Sequence, residues 1–261
     1  MDGPTVTDRM NLAFYEPFHL GDNLWFILYA NRALDMRPDV TIDFYSEPVY
    51  HPQLLPFTNP ARLRLKPLAD KPVDAHVAWA GDGRFFHNYP MPHRYERLYF
   101  DWFKVISERA GIGNLFSNCN ELVWTLPEST TVPAALDQDY DVLIVNSQPL
   151  STEWFTFDTF DPLGQRLVRE GHKVIATHPN NFGAVSTLNS GLDVAQLSLL
   201  SQRCRCIVGI SNAPFLITAN SVNFKDPDKR WYGVSNDGSL GYDSRFHLIQ
   251  TIPELTGLCL K

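Results

Sequence analysis

"MNLAFYEPFHLGDNLWFILYANRALDMRPDVTIDFYSEP", residues 10–48, contains the order of elements that decides the fold. Residues 10–18 have the length and composition of a strand, and residues 22–36 those of a helix that is apolar on most sides. Residues 39–48 have the pattern of a second strand. A strand, a helix of about a dozen residues and another strand is typical of a right-handed parallel crossover. The N-terminal half is therefore predicted to be an α/β layer structure.

The same kind of pattern continues along the chain. Residues 75–80 predict a third strand and residues 93–113 a helix that stops at a glycine. After residue 140 the strand and helix pattern starts again. The predicted strands are 141–147, 172–179 and 205–210, and the predicted helices are 160–171, 190–204 and 214–221. Residues 223–244 are predicted to be a long polar loop, and residues 245–258 one or two closing helices. In the loop, "DKRW" offers positive charge and a stacking surface, and solvated charge is the simpler prediction.

Three residues of the second half are predicted to begin helices. Asp161 is a plausible cap with Pro162 at the first helical position, and Ser190 and Asp193 have the spacing of a capping box.

Residues 126–140, "LPESTTVPAALDQDY", are rich in Pro, Ser and Thr and lack apolar periodicity, so they predict a domain linker. The simplest architecture is α/β, with two halves in tandem at 1–130 and 131–261, each with its own parallel sheet. Ligands in such sheets gather at the carboxyl ends of the strands. If the two halves face each other, the loops after those strands line one cleft.

Composition excludes several classes of protein. The 261 residues include 44% hydrophobic residues, and the formal charge of −7 argues against broad capture of a nucleic acid. Four cysteines show no CxxC pair, and no metal motif is present, so reduced thiols and metal-independent chemistry are expected. No secretion signal or run of about 20 apolar residues is found, which favours a cytoplasmic location with at most peripheral membrane contact.

Asp22 is the residue whose role matters most. It follows Gly21, which is expected to let the backbone turn tightly, at the point where the first strand gives way to the helix. Spacing alone leaves two roles open, because Asp at a helix start commonly caps orphan amides. The second role is a carboxylate at the edge of a cleft that takes part in chemistry.

Other candidate residues follow predicted strands. "GISNAP" places Ser211, Asn212 and Ala213 at a junction where amides can hold a phosphate, although an ordinary turn fits equally well. His19, His178 and His247 are candidate acids, bases or phosphate partners, with hydrogen-bonded surface roles as the alternative. Arg84 and His87 are candidates for acceptor contact or for a simple turn.

Three separated segments point to one family. "HLGDNLWFILYANRAL" resembles the loop and first helix of the heptosyltransferase family of GT-B glycosyltransferases, in which Gly-Asp opens the helix. "LDVAQLSLLSQRCRCIVGISNAPFLITA" is similar to the family's C-terminal stretch, in which a strand precedes an Asp-Ser-Gly-Pro turn, and "IVNSQPLSTEWF" resembles its donor-side loop. The resemblance implies two Rossmann-like domains that face a central cleft, an acceptor-side domain at 1–130 and a nucleotide-sugar-binding domain at 131–261.

The resemblance also implies roles for individual residues. Asp22 takes the place of the family's general base. The acceptor side would use His19, Gly21, Arg84 and His87, and the donor side would use Ser147, Thr152, Trp154, His178, Ser211, Asn212, Ala213, Pro214 and Phe215. Two positions depart from the family, since Leu216 replaces a usual His and Thr152 a common Lys, and both positions are donor contacts in the family.

The implied function is transfer of a sugar from a nucleotide-sugar donor to a hydroxyl of a glycan or glycolipid, in polysaccharide biosynthesis. The transfer would be inverting and metal-independent, with the nucleotide sugar as co-substrate and no separate cofactor. Two alternatives stay open, because a fold does not determine a function. They are a nucleotide-sugar epimerase or hydrolase, and a non-catalytic module that binds a sugar nucleotide.

Overall fold

The computed structural model describes residues 10–81, 85, 88–90, 93–148, 156, 158–234, 238–239 and 241–249. The chain divides into two compact units. The first consists of Met1–Tyr89 and Arg97–Leu122, and the second of Pro90–Glu96 and Val123–Lys261. Each unit has its own parallel sheet, so the predicted α/β class is confirmed. Among the described residues, no helix combines the length and the apolarity needed to cross a membrane.

The first unit is built on a four-stranded parallel sheet. Its strands are β1 (Met10–Glu16), β2 (Val40–Ser46), β3 (Leu63–Pro67) and β4 (His76–Val77), in the order β3-β2-β1-β4. The helices are α1 (Leu20–Met36), α2 (His51–Leu54) and α3 (Tyr95–Arg109), and α3 belongs to this unit from Arg97 onward. Short 3₁₀ turns lie at Pro48–Tyr50, Leu55–Phe57, Leu68–Asp70 and Cys119–Glu121.

Helix α1 is buried on most sides, as its composition predicts. Phe26 packs on Phe44 of β2 with ring centroids 4.3 Å apart, so one face of the helix covers the sheet. Another face meets α3, where the Trp25 ring stacks on Tyr99 at 5.0 Å. Helix α1 is therefore held between the sheet and α3, which fixes the position of its first turn.

The second unit contains a six-stranded parallel sheet. Its strands are β6 (Tyr140–Val145), β7 (Val174–Ala176), β8 (Val185–Ser186), β9 (Cys204–Ile210), β10 (Arg230–Val234) and β12 (Phe246–Ile249), in the order β12-β10-β9-β6-β7-β8. A separate parallel pair is formed by β5 (His93–Arg94) and β11 (Gly238–Ser239). The helices are α4 (Asp161–Arg169), α5 (Val194–Ser201), α6 (Ala213–Leu216) and α7 (Ser221–Lys225).

The segment predicted as a linker packs on the second unit. The amide of Trp124 donates to the carbonyl of Ala219 at 3.1 Å. Gln196 of α5 donates to the carbonyl of Thr131 at 3.0 Å, and Leu136 is buried. Residues 123–140 are therefore grouped with the second unit, and the units divide between Leu122 and Val123.

Three local predictions in the helices and strands are wrong. The strand predicted at 75–80 is only two residues long. Pro17 after β1 has no N–H for the Ala78 carbonyl, which accepts from the Trp102 indole at 2.9 Å. Asp161 is the first residue of α4 and not its cap, which is Phe160. Helix α5 is capped by Asp193 in a capping box with Gln196, three residues after the predicted Ser190.

The loop predicted at 223–244 and the closing helix predicted at 245–258 are also wrong where the structure describes them. Strand β10 runs through the predicted loop, and β12 replaces the beginning of the predicted helix. The cause is tertiary packing, since Trp231 of β10 stacks on Phe246 of β12 with ring centroids 4.1 Å apart. Large aromatic residues suit a pleated, half-buried surface, and here they extend the sheet. Residues 250–258 lie outside the described residues.

Lys229 is buried, although the sequence predicts solvated loop charge there. Its side chain is 2% exposed, and its ammonium donates to the carbonyls of Ser201 at 3.1 Å, Gln202 at 3.3 Å and Cys204. These carbonyls lie at the end of α5 and the beginning of β9, where the negative end of the helix dipole favours a cation. Lys229 therefore satisfies backbone acceptors that the helix end leaves without partners.

We expect Lys229→Met to destabilise the second unit by about 1–3 kcal/mol, because the substitution leaves buried carbonyls without a donor. Urea unfolding followed by circular dichroism measures the loss. Lys225→Met, at an exposed lysine of α7, is the matched control and should change the free energy of unfolding by less than about 0.5 kcal/mol. Equal effects of the two variants would contradict the capping role.

Candidate functional site

Both sheets have a topological switch point. In the first unit β2 and β3 lie on one side of β1, and β4 lies on the other. In the second unit β7 and β8 lie on one side of β6, and β9, β10 and β12 lie on the other. In open parallel sheets, ligands bind at the carboxyl ends of the strands at such a point. Asp22 follows β1, and the candidate residues at 147 and 211–215 follow β6 and β9. The topology therefore places the main candidates where this fold class binds ligands.

Asp22 lies in the first turn of α1 and is not the N-cap. The N-cap is His19, whose side chain makes no capping hydrogen bond. The Asp22 carboxylate accepts a hydrogen bond from the Tyr99 hydroxyl of α3. The N-cap position belongs to His19, and the charge of Asp22 is favoured by the Tyr99 hydroxyl of α3 and by the amides of His19 and Asp22. The two roles left open by the sequence are therefore compatible.

The environment of Asp22 shifts its titration. Burial raises the pKa of the Asp22 carboxyl above its usual value. The hydroxyl of Tyr99 and the nearby His19 act in the opposite direction, because each favours the charged form. A buried carboxylate with a raised pKa is suited to accept a proton from a substrate hydroxyl.

Glu16 is a second carboxyl near Asp22, and it is not among the site residues predicted from the sequence. It ends β1 and is fully buried, with 0% of its surface exposed. One oxygen accepts from the amide of Phe18 at 2.8 Å, and the other has no hydrogen bond with a described residue. The alternation of residues along β1 could have indicated that Glu16 is buried, because Leu12, Phe14 and Glu16 share the buried face of the strand.

The other acceptor-side predictions have different outcomes. Gly21 lies in the first turn of α1 and does not have a positive φ, so the predicted tight turn is wrong. A helical backbone needs no glycine at that position. His19 is placed next to Asp22 as expected. Arg84 and His87 lie outside the described residues.

The donor-side candidates of the second unit come together at the carboxyl ends of β6, β7 and β9. The side-chain amide of Asn212 donates to the carbonyl of Ser147 at 2.6 Å. The Ser147 hydroxyl donates to the Thr177 hydroxyl at 2.9 Å, and Thr177 donates to the Asn146 side chain at 3.1 Å. Asn146 also accepts from the amide of His178 at 2.8 Å. One polar network therefore joins three predicted residues with Asn146 and Thr177, which the sequence analysis did not identify.

In the turn at 211–215, fewer amides can contact an anion than the sequence predicts. Asn212 is the N-cap of α6, and its side-chain oxygen accepts from the amide of Phe215 at 2.9 Å. The Phe215 amide is therefore not available to an anion, and Pro214 has no N–H. The remaining candidates for contact with a phosphate are the amides of Ser211, Asn212 and Ala213.

The backbone approaches the core closely beneath this turn. A Cβ on Gly209 would lie 2.7 Å from the Cβ of Val145 and 3.1 Å from the Phe215 ring. Leu216, which stands where the resembled family has a His, is buried with 4% exposure. Half-burial of His178 lowers its pKa, so the imidazole is neutral at lower pH than usual. Thr152 and Trp154 lie outside the described residues.

Among the described residues, no group of three or more His, Cys, Asp or Glu side chains is arranged to hold a metal ion.

Comparison with known proteins shows similarity at the level of structure. No family model and no curated protein sequence matches the chain. The chain is similar to ADP-heptose LPS heptosyltransferase II of E. coli, with a TM-score of 0.54 and 13% identity over 96% of this chain and 99% of that one. It is also similar to a family 9 glycosyl transferase of Veillonella parvula, with a TM-score of 0.58 and 10% identity over 97% and 90% of the two chains.

A third similar structure is the dodecameric iron-containing heptosyltransferase TibC in complex with ADP-D-beta-D-heptose. The TM-score is 0.53 and the identity 14%, and the match covers 88% of this chain but 58% of the TibC chain. At these identities the likeness concerns the fold. The chain therefore has the fold of the heptosyltransferase-like GT-B glycosyltransferases, as its sequence motifs indicate.

Proposed function

We propose that this chain is a glycosyltransferase that moves a sugar from a nucleotide-sugar donor to a hydroxyl of a glycan or glycolipid acceptor. The observation that carries the proposal is the carboxylate of Asp22 at the switch point of the first sheet, held by Tyr99 and raised in pKa by burial. The likeness to heptosyltransferases supports the same class of reaction, since one neighbour is named an ADP-heptose LPS heptosyltransferase and another is in complex with ADP-D-beta-D-heptose. The acceptor is assigned to the first unit and the donor to the second.

In the proposed reaction Asp22 is the general base. It takes the proton of an acceptor hydroxyl while the hydroxyl oxygen forms a bond to the anomeric carbon of the donor sugar. The bond from that carbon to the diphosphate oxygen breaks, and its electron pair leaves with the diphosphate. Attack on the face opposite the leaving group inverts the anomeric configuration.

The leaving diphosphate is assigned to the turn after β9. The amides of Ser211, Asn212 and Ala213 are proposed to donate to it, because fixed N–H groups stabilise charge that develops on a leaving group. Ser147 and His178 belong to the network that holds this turn. A metal ion is not required in this scheme, since backbone amides supply the stabilisation.

A binding and transfer screen tests the proposal. Nucleoside diphosphates and their sugars are titrated against the chain by calorimetry, and the best donor is then incubated with a panel of glycan and glycolipid acceptors, with and without a chelator. We expect binding of a nucleotide sugar, transfer to one acceptor class with inversion, and no loss of rate with chelator. Donor turnover without any acceptor would instead indicate an epimerase or a hydrolase.

A non-catalytic sugar-nucleotide module is the second candidate. The buried, apolar Leu216 favours it, because this position is usually a donor-binding His in the resembled family. Binding of a nucleotide sugar with no turnover over the whole acceptor panel would select this candidate.

A further inference from the structure

Glu16 is a buried acid with too few hydrogen-bond partners for a carboxylate. It is 0% exposed, one oxygen accepts from the Phe18 amide at 2.8 Å, and the other forms no hydrogen bond with a described residue. A buried ionised carboxyl is very costly unless it is paired, whereas a buried neutral carboxyl costs much less. The charge of the proposed base Asp22, six residues later, is favoured by the Tyr99 hydroxyl, by the amides of His19 and Asp22 and by the nearby His19.

Apart from the Phe18 amide, the groups that act on Glu16 do not favour its charge. Asp22 on α1 is negative, and Tyr50 in the 3₁₀ turn after β2 lies near both carboxyls. Ser46 is the register partner of Glu16 on β2, and its hydroxyl is likewise buried without a hydrogen bond to a described residue. Asp22, by contrast, accepts from Tyr99 and is near His19. The negative charge of the pair therefore belongs on Asp22.

We propose that Glu16 is a positioning residue that holds a proton at neutral pH, fixes the loop before α1 through the Phe18 amide, and leaves Asp22 as the single charge of the pair. Burial and then the charge of Asp22 raise the pKa of Glu16 well above its usual value. Two carboxyls whose environments separate their pKa values commonly divide the roles of proton holder and base. The catalytic consequence rests on the proposed function, but the proton on Glu16 does not.

The proposal predicts how stability changes with pH. Because the pKa of Glu16 is higher in the folded state than in the unfolded chain, its stabilising contribution is complete below the unfolded value of about 4.3 and is lost as pH rises toward the folded value. Glu16→Gln keeps an acceptor for Phe18 but cannot titrate. We expect the unfolding constant of the wild-type chain, divided by that of Glu16→Gln, to rise by up to about tenfold per pH unit in this window.

Urea unfolding of both chains at several pH values from about 5 to 8 measures this ratio. Glu47→Gln, at an exposed glutamate, is the matched control and should show no such rise. In an Asp22→Asn background the rise should end at a lower pH, because the charge that raises the pKa of Glu16 is removed. A ratio that is independent of pH would overturn the proposal.

Activity assays separate this proposal from the proposed function. We expect Glu16→Gln to transfer sugar at least about tenfold faster than Glu16→Ala, because small displacements of a catalytic group are costly and only the glutamine keeps the bond to Phe18. Equal rates of the two variants would overturn the positioning role. If the ratio of unfolding constants rises with pH but the wild-type chain transfers no sugar, only the proposed function is overturned. The proton on Glu16 is then still supported.

Discussion

Asp22→Asn is expected to lower the rate of sugar transfer by about 10²–10⁴, because a positioned general base contributes that much to catalysis. Affinity for the donor should change little, since the donor is assigned to the second unit. Single-turnover transfer and calorimetric titration of the nucleotide measure the two effects. Asp35→Asn, at an exposed aspartate of the same helix, is the matched control. Near-normal turnover of Asp22→Asn would show that the base is another group.

The pH dependence of the same transfer assay is a second test of the role of Asp22. Burial raises the pKa of Asp22, so activity should fall, as pH decreases, at a higher pH than the ordinary Asp value of about 3.9 would give. Tyr99→Phe removes a donor that favours the charged form. The acid limb of kcat/KM should therefore move to still higher pH in this variant. A shift to lower pH would contradict the assignment of the limb to Asp22.

Asn212→Asp is expected to weaken binding of a nucleoside diphosphate by about 100-fold or more, because like charges held close together cost several kcal/mol. The variant keeps an oxygen that accepts from the Phe215 amide, but it loses the amide that donates to Ser147. Calorimetry with the diphosphate measures the affinity. Asn189→Asp adds the same charge at an exposed position of the second unit and should bind normally. Unchanged affinity in Asn212→Asp would place the diphosphate elsewhere.

Much of the fold could be predicted because its signals are local. The first crossover, with β1, α1 and β2, follows from hydrophobic pattern and composition within about forty residues. Strands β6, β7 and β9 follow from short β-branched runs. The region after residue 223 could not be predicted in the same way, because its strands are stabilised by contact between Trp231 and Phe246, which no local pattern contains.

The candidate sites could likewise be predicted only where the signals are local. Asp22 and the turn at 211–215 could be located from sequence, because loops after parallel strands are the usual ligand positions. The hydroxyl that holds Asp22 comes from Tyr99, 77 residues later, and no spacing rule connects the two. The sequence does not reveal that the Phe215 amide already donates to the Asn212 side chain.

The strand order of the two sheets has a consequence for evolution. In each unit the chemistry is assigned to loops that follow the strands at the switch point, while β3, β8 and β12 lie at the sheet edges. Edge strands and most helix surfaces need to keep only their pattern of apolar residues. A chain can therefore replace most of its residues and keep its fold. Identities of 10–14% to structures of the same architecture are the divergence that such a division permits.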